Sequence, residues 1–447
     1  MEAFIKFLEN KMMPIAGKIA AERHIRALRD GLSITMPLII VGSIFMILGN
    51  LPIDGYADFV NGIIPDFTTK ILYPVRVTFD IVSLLAVFSI SYYLAKDKEV
   101  DGLSAGAIAL SAFLLLIPVL NINETLQSGE ILNLGRVWQT TNFSAGGLVA
   151  AILTAIISTE IFIYIVNKNW VIKMPDSVPP AVSKSFSAIT PALVILVVFL
   201  GIRLFFEATS YETVFAFISK FLEAPIAAVG LSFGGTLSTI FLYHFFWTMG
   251  IHGTRVVFGV MDSILLPAMD QNRLALEAGA ELPNIVTKQF HDIFVNGIGG
   301  CGATLGLIVV MIIFAKSKQL KTISKLAIGP AIFNISEPII FGIPVVLNPI
   351  MIIPFVIGPM LAGAITYLSM YFGLVSAPAG IAVPWTTPLF ISGILATNGD
   401  IMAGVIQFIN VIVVGLVYLP FVKVYDRQLV EQEKSLELEE AESDAIA

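Results

Sequence analysis

Charged residues are scarce in this 447-residue chain, at 13% against 56% hydrophobic residues, and the mean hydropathy is +0.87. Soluble domains carry about 25% charged residues. A single water-facing globule is therefore excluded, because surface grows with size and one core cannot hide this much apolar side chain. Cysteine is nearly absent. Cys301, the only one, rules out an intrachain disulfide framework. The four histidines and that cysteine show no metal-ligand spacing, and no Walker A sequence is present, so no metal and no other cofactor is expected. Positive charge is short too. A net charge of −7 and a pI near 5.2, with no basic stripe, exclude nucleic acid as a partner. The acidity is local, since residues 426–447 hold eight acids against two bases. The first 30 residues lack a short apolar region with a small-residue cleavage site, so no cleavable signal peptide is expected.

What the chain has instead is long apolar runs, close to the roughly 20 residues that cross a bilayer. Nine are clear, over about 31–50, 77–95, 103–120, 145–166, 189–208, 231–251, 297–315, 346–372 and 402–422. Six Lys and Arg among the first 30 residues put the N-terminus on the cytoplasmic side, where basic residues collect. Lys96, Lys98, Lys168, Lys173 and Lys184 then fall in inside loops, and the stretches 51–76 and 121–144 carry little positive charge. Lys316, Lys318, Lys321 and Lys325 also demand an inside loop, which nine crossings do not allow. A tenth is expected in 209–230 or 252–285, both interrupted by Pro, Gly or charge. The C-terminus is then cytoplasmic as well.

Two further segments are apolar but broken. Residues 328–344 and 376–398 each hold three prolines. Irregular backbone survives at membrane depth only when buried in protein or lining a cavity, so both read as re-entrant hairpins around a binding site. Residues 1–29 read as an interfacial helix with Phe4, Phe7, Leu8, Met12 and Ile15 on one face. The stretch 174–188 reads as a linker that turns at Pro179 and Pro180 into a helix lying along the membrane. Residues 429–443 are either a charged helix or disordered. The fold class is thus an all-α polytopic membrane protein of about ten transmembrane helices, with re-entrant hairpins and interfacial amphipathic helices against the lipid.

Ionisable residues within a membrane domain cost about 3 kcal/mol on insertion scales and are functional candidates by default. Glu337 leads. It precedes Pro338, whose ring breaks the helical ladder, and Asn334 supplies an amide nearby; such a cluster can bind several hydroxyls of a neutral polyol. The alternative is a structural clamp with a neighbouring Arg or Lys. His252 lies in WTMGIHG, residues 247–253, where Gly250 and Gly253 let backbone approach a ligand closely. It can exchange hydrogen bonds or a proton with a hydroxyl, or be a satisfied core histidine. Arg255 can serve an anion or pair with Glu337. His244 can belong to the core or to the site wall, and His291–Asp292 reads as a cytoplasmic-face contact. Trp247 and Trp385 can stack on sugar C–H faces, or anchor the interfacial belt as Trp138 and Trp170 do. GIGGCG, residues 297–302, matches a dinucleotide-binding pattern, but no strand precedes it. It reads as part of a span in which Gly302 and Gly306 make a helix contact.

These motifs resemble the enzyme IIC membrane component of the bacterial phosphoenolpyruvate-dependent sugar phosphotransferase system, in its lactose/cellobiose/chitobiose class. The matching stretches are ALRDG (27–31), MPDSVPPAVSKSF (174–186), WTMGIHG (247–253), FNISEPIIFG (333–342), LNP (347–349) and VPWTTP (383–388), and the resemblance covers nearly the whole chain. It implies a homodimer in the bacterial inner membrane, with a scaffold and dimerisation domain over 1–210, a sugar-binding transport domain over 211–425 and an acidic cytoplasmic tail over 426–447. It implies import of a β-linked disaccharide or short oligosaccharide by an elevator-like motion, then phosphorylation at C6 by the phosphocysteine of a separate IIB protein that a IIA protein recharges. By that resemblance the site histidine and glutamate are His252 and Glu337, read as the catalytic pair, with Trp247, Trp385 and Asn142 binding substrate; the residue pattern itself adds Asn334, Gly253, Arg255 and His244, and since Cys301 reads as part of a span no phosphorylated residue is expected on this chain. A proton- or sodium-coupled secondary transporter and a non-transporting sugar sensor are the alternatives.

Overall fold

The computed structural model describes residues 21–49, 55–125, 131–175, 177–343, 345 and 348–446, with Pro14 and Lys18. Most of the expected interfacial helix over 1–29, including its five apolar anchors, lies outside the described residues, as do Asp176 of the 174–188 linker and Leu347.

Long apolar helices dominate. Helix α1 (Arg23–Gly49) is followed by α2 (Val82–Lys96), α3 (Gly102–Leu116), α4 (Ala145–Asn167) and α5 (Pro180–Glu207). The surface helix expected near 180–188 is instead the first turns of α5. Only Ala188 interrupts it, so proline at the N-terminus starts the span itself. Between α3 and α4 the chain departs from the all-helical expectation. Leu120–Thr125 and Ile131–Val137 pair antiparallel as β1 and β2, where Leu120, Asn121, Ile122 and Asn123 alternate apolar and polar with the two-residue period of a strand.

The second half begins with α6 (Val214–Gly230) and α7 (Phe233–Thr248), which meet at a 76° bend. Ser232 caps α7 by accepting from the Gly235 amide at 3.1 Å. Helix α8 (Gly253–Glu277) fills the second window expected to hide a crossing. Then come α9 (Thr304–Phe314), α10 (Lys318–Ile332), the six-residue α11 (Glu337–Gly342), α12 (Pro349–Tyr371), α13 (Ile391–Ala396) and α14 (Ile401–Ile446). Five of these helices are long and apolar enough to cross a membrane, six with the bent pair taken as one, and α2, α3 and α9 are shorter apolar helices. The stretch 429–443 is helical, as the end of α14.

The run 297–303 is not the start of a span. Gly299, Gly300, Gly302 and Ala303 all have positive φ, so the backbone leaves the helical region and α9 begins only at Thr304. A Cβ on Gly300 would sit 2.5 Å from the Asn334 carbonyl oxygen, which is why no side chain fits there. Gly302, outside the helix, lies against the Phe355 ring of α12 and its carbonyl accepts from Tyr418 of α14 at 2.9 Å, while Gly306 within α9 lies against the backbone of α14 at Gly415.

Buried apolar side chains form two clusters. One joins α1 to α5 with the inner faces of α7 and α8; the other lies among α9, α10, α11, α12 and α14. Acidic residues of α14 close the second cluster at one end. Asp426, 6% exposed, accepts from the Lys316 amide at 3.0 and 2.9 Å and from the Ser317 amide at 2.9 Å. Glu433 accepts from the amides of Lys318 and Gln319, both at 3.1 Å. These carboxylates satisfy the orphan donors that open α10. Asp426→Ala strands buried donors, and the expected cost is about 2 kcal/mol, read as a lowered thermal unfolding midpoint in detergent. Glu431→Ala, at an exposed position on the same helix, is expected to stay within about 0.5 kcal/mol of the parent.

Candidate functional site

Four interruptions of helical structure converge. They are the turn between α7 and α8 at Met249–His252, the glycine loop 296–303, the turn between α10 and α11 at Phe333–Ser336, and the irregular stretch 375–390. Asn334 joins three of them. With φ of 63° it takes the left-handed conformation between the end of α10 and the start of α11. Its Oδ1 accepts from the Gly299 amide at 3.0 Å, and its Nδ2 donates to the carbonyls of Trp385 at 2.7 Å and Thr387 at 3.0 Å. Both donor hydrogens are thereby used on backbone, so Asn334 shapes the site more than it faces a ligand.

The segments enclose a cavity of about 410 Å³, within the roughly 300–1,000 Å³ of ligand pockets. Glu337, His252, Arg255, Trp247 and Trp385 all line it, with Asn334 in its wall. The Trp247 and His252 rings lie 4.4 Å apart at 45°, and Thr254 Oγ1 is 3.0 Å from His252 Nδ1. Trp247 is 6% exposed, whereas Trp385 is 52% exposed, so the two indoles offer one sunken and one open apolar face. The Glu337 carboxylate is exposed to the cavity and, among the described residues, makes no ion pair with Arg255 or any other cation. The clamp reading of Glu337 finds no partner.

Other expected residues lie elsewhere. His244 is fully buried; its Nδ1 is 2.8 Å from the Ile240 carbonyl oxygen, and its ring packs on Tyr243 and Phe355. It belongs to the core. Gly253 is a packing residue, because a Cβ there would come within 1.8 Å of the Tyr243 carbonyl oxygen. Asn142 ends the short turn Thr140–Asn142 and is not among the residues around Glu337. Cys301 lines the cavity from the glycine loop.

Sequence reasoning missed an ion cluster in the same wall. Lys288 Nζ lies 3.1 Å from Asp262 Oδ1 and 3.8 Å from Asp292 Oδ1, and 3.6 Å from the centre of the Phe258 ring. Asp292 thus faces the cavity, while its neighbour His291 is fully buried against Tyr243, Phe258 and Phe290, so the pair is not a surface contact. The i, i+4 spacing of Lys288 and Asp292 was the available signal, but no local pattern points to Asp262. With Arg29 and Arg255, three cations face three carboxylates around the cavity. Such a balanced lining suits a neutral, hydroxyl-rich ligand over an anion.

The family model described as "Phosphotransferase system, EIIC" matches residues 29–359, and the chain belongs to that family of membrane permease components of a sugar phosphotransferase system. It is 48% identical to the lichenan permease IIC component of Bacillus subtilis (strain 168) over 435 residues, covering 97% of this chain and 96% of the relative. It is 44% identical to the PTS system cellobiose-specific EIIC component of Geobacillus stearothermophilus, covering 97% of each. Its fold matches the crystal structure of ChbC, the IIC component of the N,N'-diacetylchitobiose-specific phosphotransferase system, with a TM-score of 0.91 and 42% identity, over 96% of this chain and 99% of that one.

Two outcomes follow from the geometry. Asn334→Ala is expected to abolish amide protection in 297–303 and 385–388, measured by hydrogen exchange, while α2 to α4 stay protected. Lys288→Met leaves two carboxylates without their cation and is expected to destabilise the chain by about 3–5 kcal/mol. Adding Asp262→Asn and Asp292→Asn to it should restore most of the lost thermal midpoint.

Proposed function

We propose that this chain carries a β-linked disaccharide or short oligosaccharide of the cellobiose or chitobiose type across the bacterial cytoplasmic membrane and holds its C6 hydroxyl for phosphorylation by a IIB partner. The observation that carries this reading is the convergence of Glu337, His252 and two indole faces on one cavity, with the carboxylate in no ion pair among the described residues. The names of the lichenan, cellobiose and chitobiose relatives support the substrate class.

The chemistry asked of the site is modest. The sugar hydroxyl oxygen attacks the phosphorus of the IIB phosphocysteine, the S–P bond breaks, and the cysteine thiolate leaves. The protein's part is to hold the hydroxyl in line and take its proton. Glu337 accepts the proton as the S–P bond breaks, His252 orients the hydroxyl from the other side, and Trp247 and Trp385 pack on the C–H faces of the rings. No residue of this chain carries the phosphoryl group; IIA and IIB proteins supply it.

In this reading the chain makes ten crossings, with α8 as one of them and both termini cytoplasmic, and segments 328–344 and 376–398 are re-entrant. Residues 1–210 form the scaffold of a homodimer, residues 211–425 carry the sugar, and the second unit slides against the first as an elevator.

The test is uptake of labelled cellobiose by cells expressing the chain with or without IIA and IIB, followed by product analysis. The expected product is a sugar 6-phosphate that forms only with both partners. Free sugar accumulating without them, and lost when the proton gradient collapses, overturns the reading in favour of a secondary transporter; sugar binding with no flux points to a sensor. Glu337→Gln is expected to cut phosphorylation at least a hundredfold while changing sugar affinity less than fivefold.

A further inference from the structure

A second polar cavity, of about 320 Å³, lies farther along α8 than the one around Glu337. Arg76, Asp80, Thr69, Thr140, Thr141 and Glu277 line it, and Arg273 closes it from within the protein. Helix α8 connects the two cavities. Asp262 faces the first, and Leu266 faces both that cavity and a tight apolar cleft that Asp270 borders from the other side. Arg273 then faces the second cavity. From Asp262 to Arg273 an α-helix rises about 16 Å. The material between is a plug of Ile39, Phe79, Val82, Leu266 and Met269, none more than 4% exposed.

The ion cluster beneath this cavity decides what it can hold. Arg273 is 2% exposed and gives one hydrogen bond, each of 2.8 Å, to Asp270, Glu277 and Asp80. Asp270 and Glu277 stand on its own helix at i−3 and i+4 and more than neutralise it, so burial of the guanidinium does not depend on Asp80. Asp80, whose side chain is 23% exposed, belongs to the segment before α2 and keeps lone pairs that face the cavity. Arg76 has no carboxylate within ion-pair distance among the described residues and offers its donors to the same space. The charge is again close to balanced, with Arg76 and Arg273 against Asp80, Asp270 and Glu277, which disfavours an anion. All three carboxylates are engaged by Arg273, and no group of ligating side chains fit for a metal occurs among the described residues. A rim of hydroxyls, the Arg76 guanidinium, which lies 5.8 Å from the centre of the Tyr73 ring, and one shared carboxylate matches a neutral polyhydroxylated molecule. The volume accommodates sugar rings.

We infer that this cavity is a second sugar site, the receiving site for an oligosaccharide arriving from outside the cell, from which the cavity of Glu337 takes up the sugar when the second unit slides against the first. The assignment rests on the topology proposed above. With the N-terminus inside, Thr69, Arg76, Asp80, Thr140 and Thr141 lie at the outer ends of α1, α2 and α4, and Arg29 and Ser33, which line the Glu337 cavity, lie near the inner end of α1. Binding of a sugar hydroxyl to Asp80 competes with the one carboxylate among the described residues through which Arg273 is tied to the first half of the chain; the Arg273 guanidinium also lies 5.2 Å from the centre of the Phe79 ring there. Occupancy of the outer site therefore loosens the link between halves that keeps the plug in place.

The test uses the full chain with cellobiose as probe, in the parent and in Arg76→Ala, Thr141→Trp and Glu337→Ala. Calorimetric titration of the purified protein is expected to show two sugars per chain. Arg76→Ala and Thr141→Trp should each weaken one of them at least tenfold, and Glu337→Ala the other. In cells supplied with IIA and IIB, the same two outer variants are expected to raise the KM of uptake about tenfold. With sugar presented to the cytoplasmic face of inverted vesicles, the KM of phosphorylation should rise much less. One sugar per chain, lost only with Glu337→Ala, overturns the receiving site, as does an equal rise of KM at both faces. Two sugars per chain with no phosphorylation by the parent would leave the receiving site standing and sink the phosphotransferase reading instead.

Discussion

Inside a bilayer no water is at hand for a backbone group that leaves a helix, and each unsatisfied one costs several kcal/mol. The site of this protein is made of such departures, and the Asn334 side chain answers for several of them at once. A single amide receives the N–H of the glycine loop and gives hydrogens to two carbonyls of the 383–388 stretch. Three irregular segments, separated by tens of residues in sequence, thereby become mutually dependent. The positions of Glu337 at the start of α11, of Cys301 in the loop and of Trp385 opposite all follow from that knot. Gly300 completes it by allowing the loop to lie directly on the Asn334 carbonyl.

The charges follow a comparable logic at two depths along α8. Lys288 with Asp262 and Asp292 forms one nearly dry group, and Arg273 with Asp80, Asp270 and Glu277 forms another. In each, a cation is matched by more than one carboxylate. A buried ion pair is weak evidence for net stability, so the presence of two on one helix is better understood through position. Both sit where a polar cavity meets apolar packing, and between them α8 presents only apolar contacts to the plug.

Much of this was legible in the sequence, for identifiable reasons. The long apolar runs marked where the apolar helices lie, within a few residues for α4 and α12 and less closely for α1, α5, α9 and α14, because membrane thickness imposes a length that composition reveals. Glu337, His252, Trp247 and Trp385 stood out because charge, ring size and helix-breaking neighbours are each visible locally. What escaped depended on contacts across the chain. Lys288 meets Asp262 from 26 positions away, and nothing in either neighbourhood announces the pairing. Asn334 was noticed as a hydrogen-bonding side chain, but that its hydrogens go to backbone is a tertiary fact. His244 shares its helix with Trp247, and only the direction of the side chain sends it to the core. The strand pair Leu120–Thr125 and Ile131–Val137 was missed because its alternation is short and hidden between two apolar runs. The glycines at 297–302 read as helix in an apolar context, whereas their positive φ values come from the knot they pack against.

Helix α14 has a mechanical consequence. Near one end Gln407 accepts from the amides of Phe390 and Gly393 and donates to the Ile293 carbonyl and Ser392; near the other, Asp426 and Glu433 hold the start of α10. The helix from Gln407 to Asp426 is a strut about 28 Å long whose two bearings are the segment around Phe390–Gly393, next to the cavity of Glu337, and the start of α10. A strut transmits displacement without absorbing it, so the two regions advance or retreat together. Its one soft joint is Pro420, which lacks the hydrogen to complete the helical ladder. Any change that alters the cavity while leaving the strut intact must therefore concentrate its bending at that single residue.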